Sequence, residues 1–236
     1  MKRRRKNLRS SLEHGLNKYA LAAGAGVLAL AQPADARIVY THANIPIKVN
    51  GGTVTLDLNH DGINDFQFTD IFSVENRHGH FPSDAYSFSY LNAGPAQPSN
   101  RIYAVQSNGH LCAAAVQRGV GVGPHSPFQP GASTLNMAAG SNGGAASCPW
   151  RPIMHAYLGL EFTIKGNVHF GWARIKRVAP QYGAGFPAVV TGYAYESIPN
   201  KLIVAGKTKG PDVIIVGPGT LGALAAGSAQ PRRVSK

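Results

Sequence analysis

The 236-residue chain has no apolar stretch of the roughly 20 residues that a membrane-spanning helix requires. The apolar segment of residues 19–31 is too short to span a bilayer, and the later segment 221–227 is shorter still. Pro33 closely follows the first segment and would end any helix there. The sequence therefore predicts no transmembrane span once the N-terminal segment has been removed.

The short apolar segment fits the middle of a secretory signal peptide instead. It is followed by Ala34-Asp35-Ala36, the small-residue pattern of a cleavage site. It is preceded by the basic residues Lys2, Arg3, Arg4, Arg5, Lys6 and Arg9. We therefore assign residues 1–36 to a signal peptide cleaved after Ala36, with an uncleaved anchor or a basic nucleic-acid-binding arm as the alternatives. The mature protein is expected to be secreted or to lie in the periplasm or cell envelope.

Acidic residues are scarce, with 11 Asp and Glu against 23 Lys and Arg. Removing residues 1–36 takes away seven of the basic residues and two of the acidic ones, so much of the positive charge belongs to the signal peptide. The remaining basic residues form no patch interleaved with aromatic residues of the kind that binds nucleic acid. We expect no nucleic-acid partner, while a mildly cationic surface favours anionic polymers or envelope surfaces.

The chain has only two cysteines, Cys112 and Cys148. In an oxidising compartment such a pair forms one disulfide, which here would close a loop rich in Gly, Ser, Ala and Pro. The alternative is two unrelated buried thiols. A catalytic cysteine is not expected, because an exported free thiol tends to be oxidised.

Long helical periodicity is also missing, whereas glycine (28) and proline (16) are abundant. This composition favours short strands joined by turns. We predict an all-β protein, an antiparallel β-sandwich of jelly-roll-like type, with residues 37–210 as its single domain. Residues 118–149 are rich in Gly and Pro and are predicted to be a long irregular surface excursion. Residues 211–236 are predicted to be a flexible C-terminal tail.

The clearest strand pair spans residues 155–177. Leu158, Leu160 and Phe162 alternate with residues that point to the other side, which is typical of a strand with one face in the core. The sequence Lys165-Gly166-Asn167 then turns the chain, and a second strand returns beside the first.

The sharpest motif is the polar loop of residues 57–65, DLNHDGIND. Oxygen-bearing side chains recur along it, and Gly62 permits the tight turn that folds them around a centre. Hard cations such as Ca²⁺ bind about six to eight oxygens. We predict a structural Ca²⁺ site whose ligands are the side chains of Asp57, Asn59, Asp61 and Asp65 and the backbone carbonyl of Ile63. The alternative is an Asx-rich turn without metal.

Catalytic signatures are lacking, since the sequence contains no G-x-S-x-G, H-E-x-x-H or C-x-x-C motif. Glu161 and Glu196, on predicted strands, are the candidates for the paired carboxylates of a secreted glycoside hydrolase. An isolated glutamate on a strand is usually a surface or salt-bridged residue. We therefore assign no catalytic residue and expect a non-enzymatic protein.

Four motifs follow one another between residues 157 and 206: YLGLEF, VHFGWARI, TGYAYES and KLIVAG. In this order they resemble the C-terminal part of exported bacterial proteins associated with the PEP-CTERM sorting class. The D-x-N-x-D-G-x-x-D-F loop also recurs in such proteins. The resemblance implies an envelope or secreted β domain and no enzyme activity. Gly217-Pro218-Gly219 stands where that class has Pro-Glu-Pro, so the sorting tag is degenerate or absent.

Two non-enzymatic functions are consistent with these features. The first is a surface or extracellular-matrix protein whose aromatic side chains are mainly core. The second is a carbohydrate-binding module in which some of them form an exposed platform for an extracellular polysaccharide. The aromatic residues concerned are Tyr157, Phe170, Trp172, Tyr193 and Tyr195. Burial of Trp172 favours the first hypothesis and an exposed aromatic row favours the second.

Overall fold

The computed structural model describes residues 37–76, 85–142, 144–180 and 184–216, and the predicted signal peptide lies outside these ranges. Within them the chain forms 15 β-strands and no helix, so the all-β prediction is confirmed. None of the described residues belongs to a helix that could cross a membrane. The strands are β1 (Ile38–Ile47), β2 (Val54–Leu56), β3 (Phe66–Asn76), β4 (Ala85–Pro95), β5 (Arg101–Ile102), β6 (Ala104–Ser107), β7 (His110–Ala113), β8 (Gly121–Val122), β9 (Leu135–Ser141), β10 (Gly144–Ser147), β11 (His155–Ile164), β12 (Asn167–Arg177), β13 (Ala188–Glu196), β14 (Ile203–Val204) and β15 (Val213–Val216).

The strands form two large sheets. One has six strands in the order β15-β1-β13-β12-β11-β5. The other has seven, in the order β2-β3-β4-β9-β7-β6 with β10 paired to β9. Most neighbours are antiparallel, but β1 runs parallel to β15 and β7 runs parallel to β9. Both parallel pairs join strands that are far apart in sequence, and a long connection permits the parallel direction that a tight hairpin forbids.

The strand pair predicted at residues 155–177 is confirmed. β11 and β12 pair without a register shift, from His155 opposite Lys176 to Ile164 opposite Asn167. Lys165 and Gly166 connect them, and both have positive φ angles of 49° and 81°. That is the conformation of a two-residue type I′ turn, whose twist matches that of the strands it joins.

One apolar core lies between the two sheets and makes the fold a β-sandwich. The six-stranded sheet contributes Leu158, Leu160 and Phe162, and the seven-stranded sheet contributes Phe66 and Phe68. All five side chains are 0–1 % exposed. Fully burying a side chain of this size stabilises a fold by about 1.5–3 kcal/mol relative to leaving it in water. The predicted alternation along β11 therefore identified part of the main core.

A third layer covers the other face of the six-stranded sheet. β8 and β14 form a small two-stranded sheet, and their residues Val122 and Ile203 belong to one apolar cluster with Phe170 and Trp172 of β12. Phe170 is 1 % and Trp172 0 % exposed. The middle of β12 is consequently buried on both faces, which accounts for the run FGWA within it.

The structure corrects part of the prediction for residues 118–149. Three stretches in this range are strands, β8, β9 and β10, and β9 lies inside the seven-stranded sheet between β4 and β7. Met137 and Ala138 of β9 are fully buried. The strand signal is weak because four of its seven residues are Ala, Gly or Ser, which have low β-propensity or little hydrophobicity. The Gly- and Pro-rich segment between β8 and β9 is irregular, as predicted.

The predicted disulfide is present and joins Cys112 of β7 to Cys148, with a Cα–Cα distance of 5.5 Å. The bond spans 36 positions of sequence that include β8 and β9. The disulfide therefore closes the segment that leaves the seven-stranded sheet after β7, forms β8 in the layer over Trp172 and returns to the sheet as β9.

The folded region extends past the predicted boundary at residue 210. Residues 213–216 form β15, which pairs with β1 from Ile38 opposite Val213 to Thr41 opposite Val216. Val216 is 3 % exposed. Its four residues are all β-branched and have high β-propensity, but its partner lies near the other end of the sequence, so no local turn indicates the pairing. The rest of the predicted tail, residues 217–236, lies outside the described residues.

Candidate metal centre

The polar loop of residues 57–65 connects β2 to β3 and packs against the six-stranded sheet. Leu58 is its anchor, 1 % exposed and part of the main core. The sheet makes room for Leu58 at Gly171 of β12, where an added Cβ would lie only 2.8 Å from Leu58 Cδ2. The loop thus contacts both sheets of the sandwich at one end.

The Asp57 carboxylate organises the first half of the loop. Its Oδ1 accepts the backbone N–H of His60 at 2.7 Å and of Asp61 at 3.3 Å, and its Oδ2 accepts that of Gly62 at 2.8 Å. His60 and Gly62 have positive φ angles of 62° and 87°. The tight turn expected at Gly62 is therefore present, and it wraps the backbone around the first predicted ligand.

Asn59 and Asp61 lie side by side in the loop. Asn59 Nδ2 donates to Asp61 Oδ2 at 2.9 Å, while the Ile63 backbone N–H donates to Asp61 Oδ1 at 2.9 Å. The other amide atom, Asn59 Oδ1, is buried and has no hydrogen-bond partner. A buried oxygen without a donor is destabilising by about 1–3 kcal/mol, so a hydrogen-bond donor or a cation beside this atom would stabilise the loop.

Asp65 is the buried member of the set, at 5 % exposure. Its Oδ2 accepts the Leu58 backbone N–H at 2.8 Å, and its Oδ1 accepts Asn100 Nδ2 at 3.3 Å. Burial raises the pKa of Asp65 to about 6, opposed by these hydrogen bonds and reinforced by the negative charges of Asp57 and Asp61. The three carboxylates are consequently close enough to repel one another.

The predicted ligands are brought together to different degrees. Asp57, Asn59 and Asp61 share one hydrogen-bonded turn, and Asp65 adjoins it. Ile63 lies at the rim with its side chain 55 % exposed. Among the residues that the structure describes, no three His, Cys, Asp or Glu side chains are grouped to hold a metal ion by themselves. Calcium also binds amide and backbone carbonyl oxygens, and Asn59 Oδ1 is an oxygen of that kind.

Two residues that support the loop were not identified from the sequence. His60 Nε2 lies 2.8 Å from Thr41 Oγ1, and its ring lies 5.6 Å from that of Tyr193. Burial lowers the pKa of His60, although Asp57 opposes the shift. Asn100 Nδ2 donates to the backbone carbonyl of Asp65 at 3.1 Å and to Asp65 Oδ1 at 3.3 Å. Neither residue belongs to a recognisable spacing, because each meets the loop only through the fold.

The negative charges of the loop help to raise the pKa of two tyrosines near the end of β13. Burial raises the pKa of Tyr193 to about 12, with a further contribution from Asp57. Burial also raises the pKa of Tyr195, and Asp57, Asp61 and Asp65 all add to the shift. Both hydroxyls therefore stay protonated, and the carboxylates lie against an uncharged surface.

Glu161 and Glu196 occupy one face of the six-stranded sheet with Phe170 between them. Phe170 is opposite Glu161, and the same register places it beside Glu196 on β13. Glu161 pairs with Arg101 at 3.5 Å, and Glu196 pairs with Lys201 at 3.7 Å. Phe170 is 1 % exposed. Its ring fills the space that a sugar would need between two catalytic carboxylates, so this arrangement does not favour a hydrolase.

Comparison of the chain with protein-family models, with curated proteins and with solved structures gives no match. The resemblance of HFGW, GYAYE and the final AG motif to PEP-CTERM-associated proteins therefore stays a prediction. The structure does explain these motifs physically. Gly171 accommodates Leu58, Trp172 lies in the second apolar cluster, and Gly192 leaves space for Tyr40, whose hydroxyl would lie 2.8 Å from an added Cβ.

Proposed function

We propose that this chain is an exported, non-enzymatic β-sandwich protein of the cell surface or extracellular matrix, stabilised by a structural Ca²⁺ at residues 57–65. The observation that carries the calcium proposal is Asn59 Oδ1, a buried oxygen without a donor beside the carboxylates of Asp57 and Asp61. The ligands would be the side-chain oxygens of Asp57, Asn59, Asp61 and Asp65 with the Ile63 carbonyl.

A single divalent cation would relieve two unfavourable features together. It would pair the buried amide oxygen of Asn59, and it would compensate the negative charge of Asp65, whose pKa is raised by burial and further by the charges of Asp57 and Asp61. The hydrogen bonds that Asp57 and Asp61 already accept do not use up their capacity, because an ionised carboxylate offers about four lone-pair sites. The hydrogen bonds hold the loop in shape and leave acceptor sites for the ion.

The role of such an ion would be structural. Leu58 fixes the loop to the main core, and His60 contacts Thr41 on β1, so stiffening the loop would fasten β2 and β3 to the six-stranded sheet. The proposed export and the proposed calcium site are consistent with each other. The Cys112–Cys148 bond is of the type favoured in oxidising compartments, and calcium is usually available outside the cytoplasm.

Thermal unfolding of the purified protein in chelator and in excess CaCl₂ tests the proposal. A ligand present at about 100 times its Kd adds about 2.7 kcal/mol to the stability of the folded state. For a domain of this size that corresponds to a rise in Tm of about 5–10 °C. MgCl₂ should have a much smaller effect, because Mg²⁺ demands a tighter octahedral site.

Two variants make the result specific. Asp61→Ala should abolish the calcium-dependent rise, whereas Asp212→Asn, which alters an aspartate paired with Lys207 outside the loop, should retain it. Equal Tm values for the unmodified protein with and without calcium would overturn the proposal.

A further inference from the structure

A row of three aromatic side chains lies on the outer face of the seven-stranded sheet. Tyr86, Phe88 and Tyr90 occupy alternate positions of β4 and therefore share one face. Leu91 and Ala93, which follow the row on the opposite face of β4, are fully buried in the main core, so the row points away from it. Neighbouring rings of the row have nearly parallel planes, with centroids 6.4 and 6.5 Å apart and interplanar angles of 25° and 7°.

The residues beside the row on the neighbouring strands are mostly small or polar. Ser73 of β3 and Ser141 of β9 lie on either side of Phe88. Tyr90 has Ile71, 43 % exposed, on one side and Ala139 on the other. Tyr86, Phe88 and Tyr90 are themselves half-buried. Small neighbours of this kind leave the row partly exposed on the side that faces away from the core.

A small cavity of about 110 Å³ continues the row. It begins at Asn92, the next residue of β4 on the same face. Its polar lining consists of Thr53, Gln67, Thr69, Asn92 and Thr134, with Gly94 among the lining residues. Gly94 is required there, because an added Cβ would lie 2.6 Å from Thr134 Oγ1. A cavity of this size has room for several waters or for the hydroxyl-bearing edge of one sugar ring.

The cavity contains an unsatisfied hydrogen-bonding group. Asn92 Oδ1 is buried and has no hydrogen-bond partner, while its Nδ2 makes only a long contact of 3.4 Å with Thr69 Oγ1. The lining hydroxyls and amides are uncharged donors and acceptors. A ligand with hydroxyl groups could donate to Asn92 Oδ1, and an ionic ligand would find no counter-charge among these groups.

We propose that this face, made of the Tyr86–Phe88–Tyr90 row and the Asn92 cavity, binds a neutral polysaccharide. Successive sugar rings would stack their C–H faces on the aromatic rings, and the hydroxyls of one sugar would enter the cavity. A purely apolar partner would have no use for the unpaired amide oxygen at the end of the row. Glu75, opposite Tyr86, also disfavours an anionic chain.

This proposal does not depend on the calcium proposal, and the two can fail separately. Binding is measured in excess CaCl₂ by native electrophoresis through gels that contain hydroxyethylcellulose, xylan, dextran or, as the anionic polymer, carboxymethylcellulose. We expect at least one of the three neutral polymers to retard the protein in a way that Phe88→Leu abolishes, and any retardation by carboxymethylcellulose to be the same for both proteins. Retardation by no neutral polymer, or retardation that depends on Phe88 by carboxymethylcellulose alone, would overturn the proposal.

Variants then locate the site. Phe88→Ala and Asn92→Ala should each weaken retention about tenfold or more, as expected for the loss of a stacking ring or of a buried hydrogen-bonding group. Phe88→Leu keeps an apolar strand residue but removes the flat face, and it should fail to bind while its Tm stays close to that of the unmodified protein. Ile215→Ala, at an exposed apolar residue of β15, should bind normally.

Two further outcomes count against the proposal. If Phe88→Leu binds as well as the unmodified protein, the row is not the site. If size-exclusion chromatography shows a dimer that Phe88→Leu dissociates, the row is a contact between two copies of this chain and not a glycan site.

Discussion

The two sheets differ in what happens to the aromatic residues on their outer faces. β12 carries Phe170 and Trp172 on its outer face, and β4 carries Tyr86, Phe88 and Tyr90. The first pair is covered by the layer that contains β8 and β14 and is 0–1 % exposed. The β4 row is half-buried. Similar strand sequences therefore become core or surface according to whether another segment of the chain covers them.

The largest effect is expected at Trp172. Trp172→Ala would leave a large cavity beneath the covering layer, which typically lowers the free energy of unfolding by about 3–5 kcal/mol. Phe88→Ala, on the half-buried row, should lower it by about 1 kcal/mol. Urea denaturation of both variants measures the difference, and equal losses would show that the two faces do not differ as described.

The disulfide should contribute the next largest effect, because it closes the segment that covers Trp172. Replacing Cys112 and Cys148 by serine together frees a loop of 36 positions and should lower the free energy of unfolding by about 2–4 kcal/mol. Near-ultraviolet circular dichroism can follow the environment of Trp172 in the same variant. A stability equal to that of the oxidised protein would show that the covering layer is held by its apolar contacts alone.

A smaller effect is expected from the titration of Asp65 in the loop that contacts both sheets. Its pKa in the folded protein, about 6, lies above the ordinary value of 3.8. Between pH 3.8 and pH 6 the folded state keeps a proton that the unfolded chain releases. The free energy of unfolding therefore decreases as the pH rises through this range, and the stabilisation present at low pH is lost above pH 6. In calcium-free buffer the Tm of the unmodified protein should therefore fall relative to that of Asp65→Asn between pH 4 and pH 7. Parallel Tm curves for the two proteins would contradict the assignment.

Local patterns in the sequence were sufficient where the structure is local. The alternation of Leu158, Leu160 and Phe162 and the Lys165–Gly166 turn predicted the β11–β12 pair correctly. The position of Gly62 among the aspartates predicted a tight turn, which is present, while the Ca²⁺ at its centre stays a prediction. Each of these features depends on contacts between residues close in the chain, which is why sequence spacing revealed them.

Non-local features were not predictable in the same way. β9 carries few β-branched or aromatic residues, so its place in the sheet depends on β4 and β7 beside it, and β15 pairs with a strand near the other end of the sequence. His60 and Asn100 support the loop through Thr41 and Asp65, across distances in sequence that no motif spans. The exposure of the β4 row depends equally on what covers it, so its role could not be inferred from a pattern of alternating aromatic residues.

The parallel pairing of β1 with β15 has a mechanical consequence. Ile38 is opposite Val213 and Thr41 is opposite Val216, so the chain enters β1 at one end of the pair and leaves β15 at the other. A pulling force applied between Arg37 and Val216 would load these registered pairs in shear, with their hydrogen bonds bearing the force together and not breaking one after another. Force transmitted through the segments that flank these two strands would in this way be resisted by β1 and β15 before the sandwich opens.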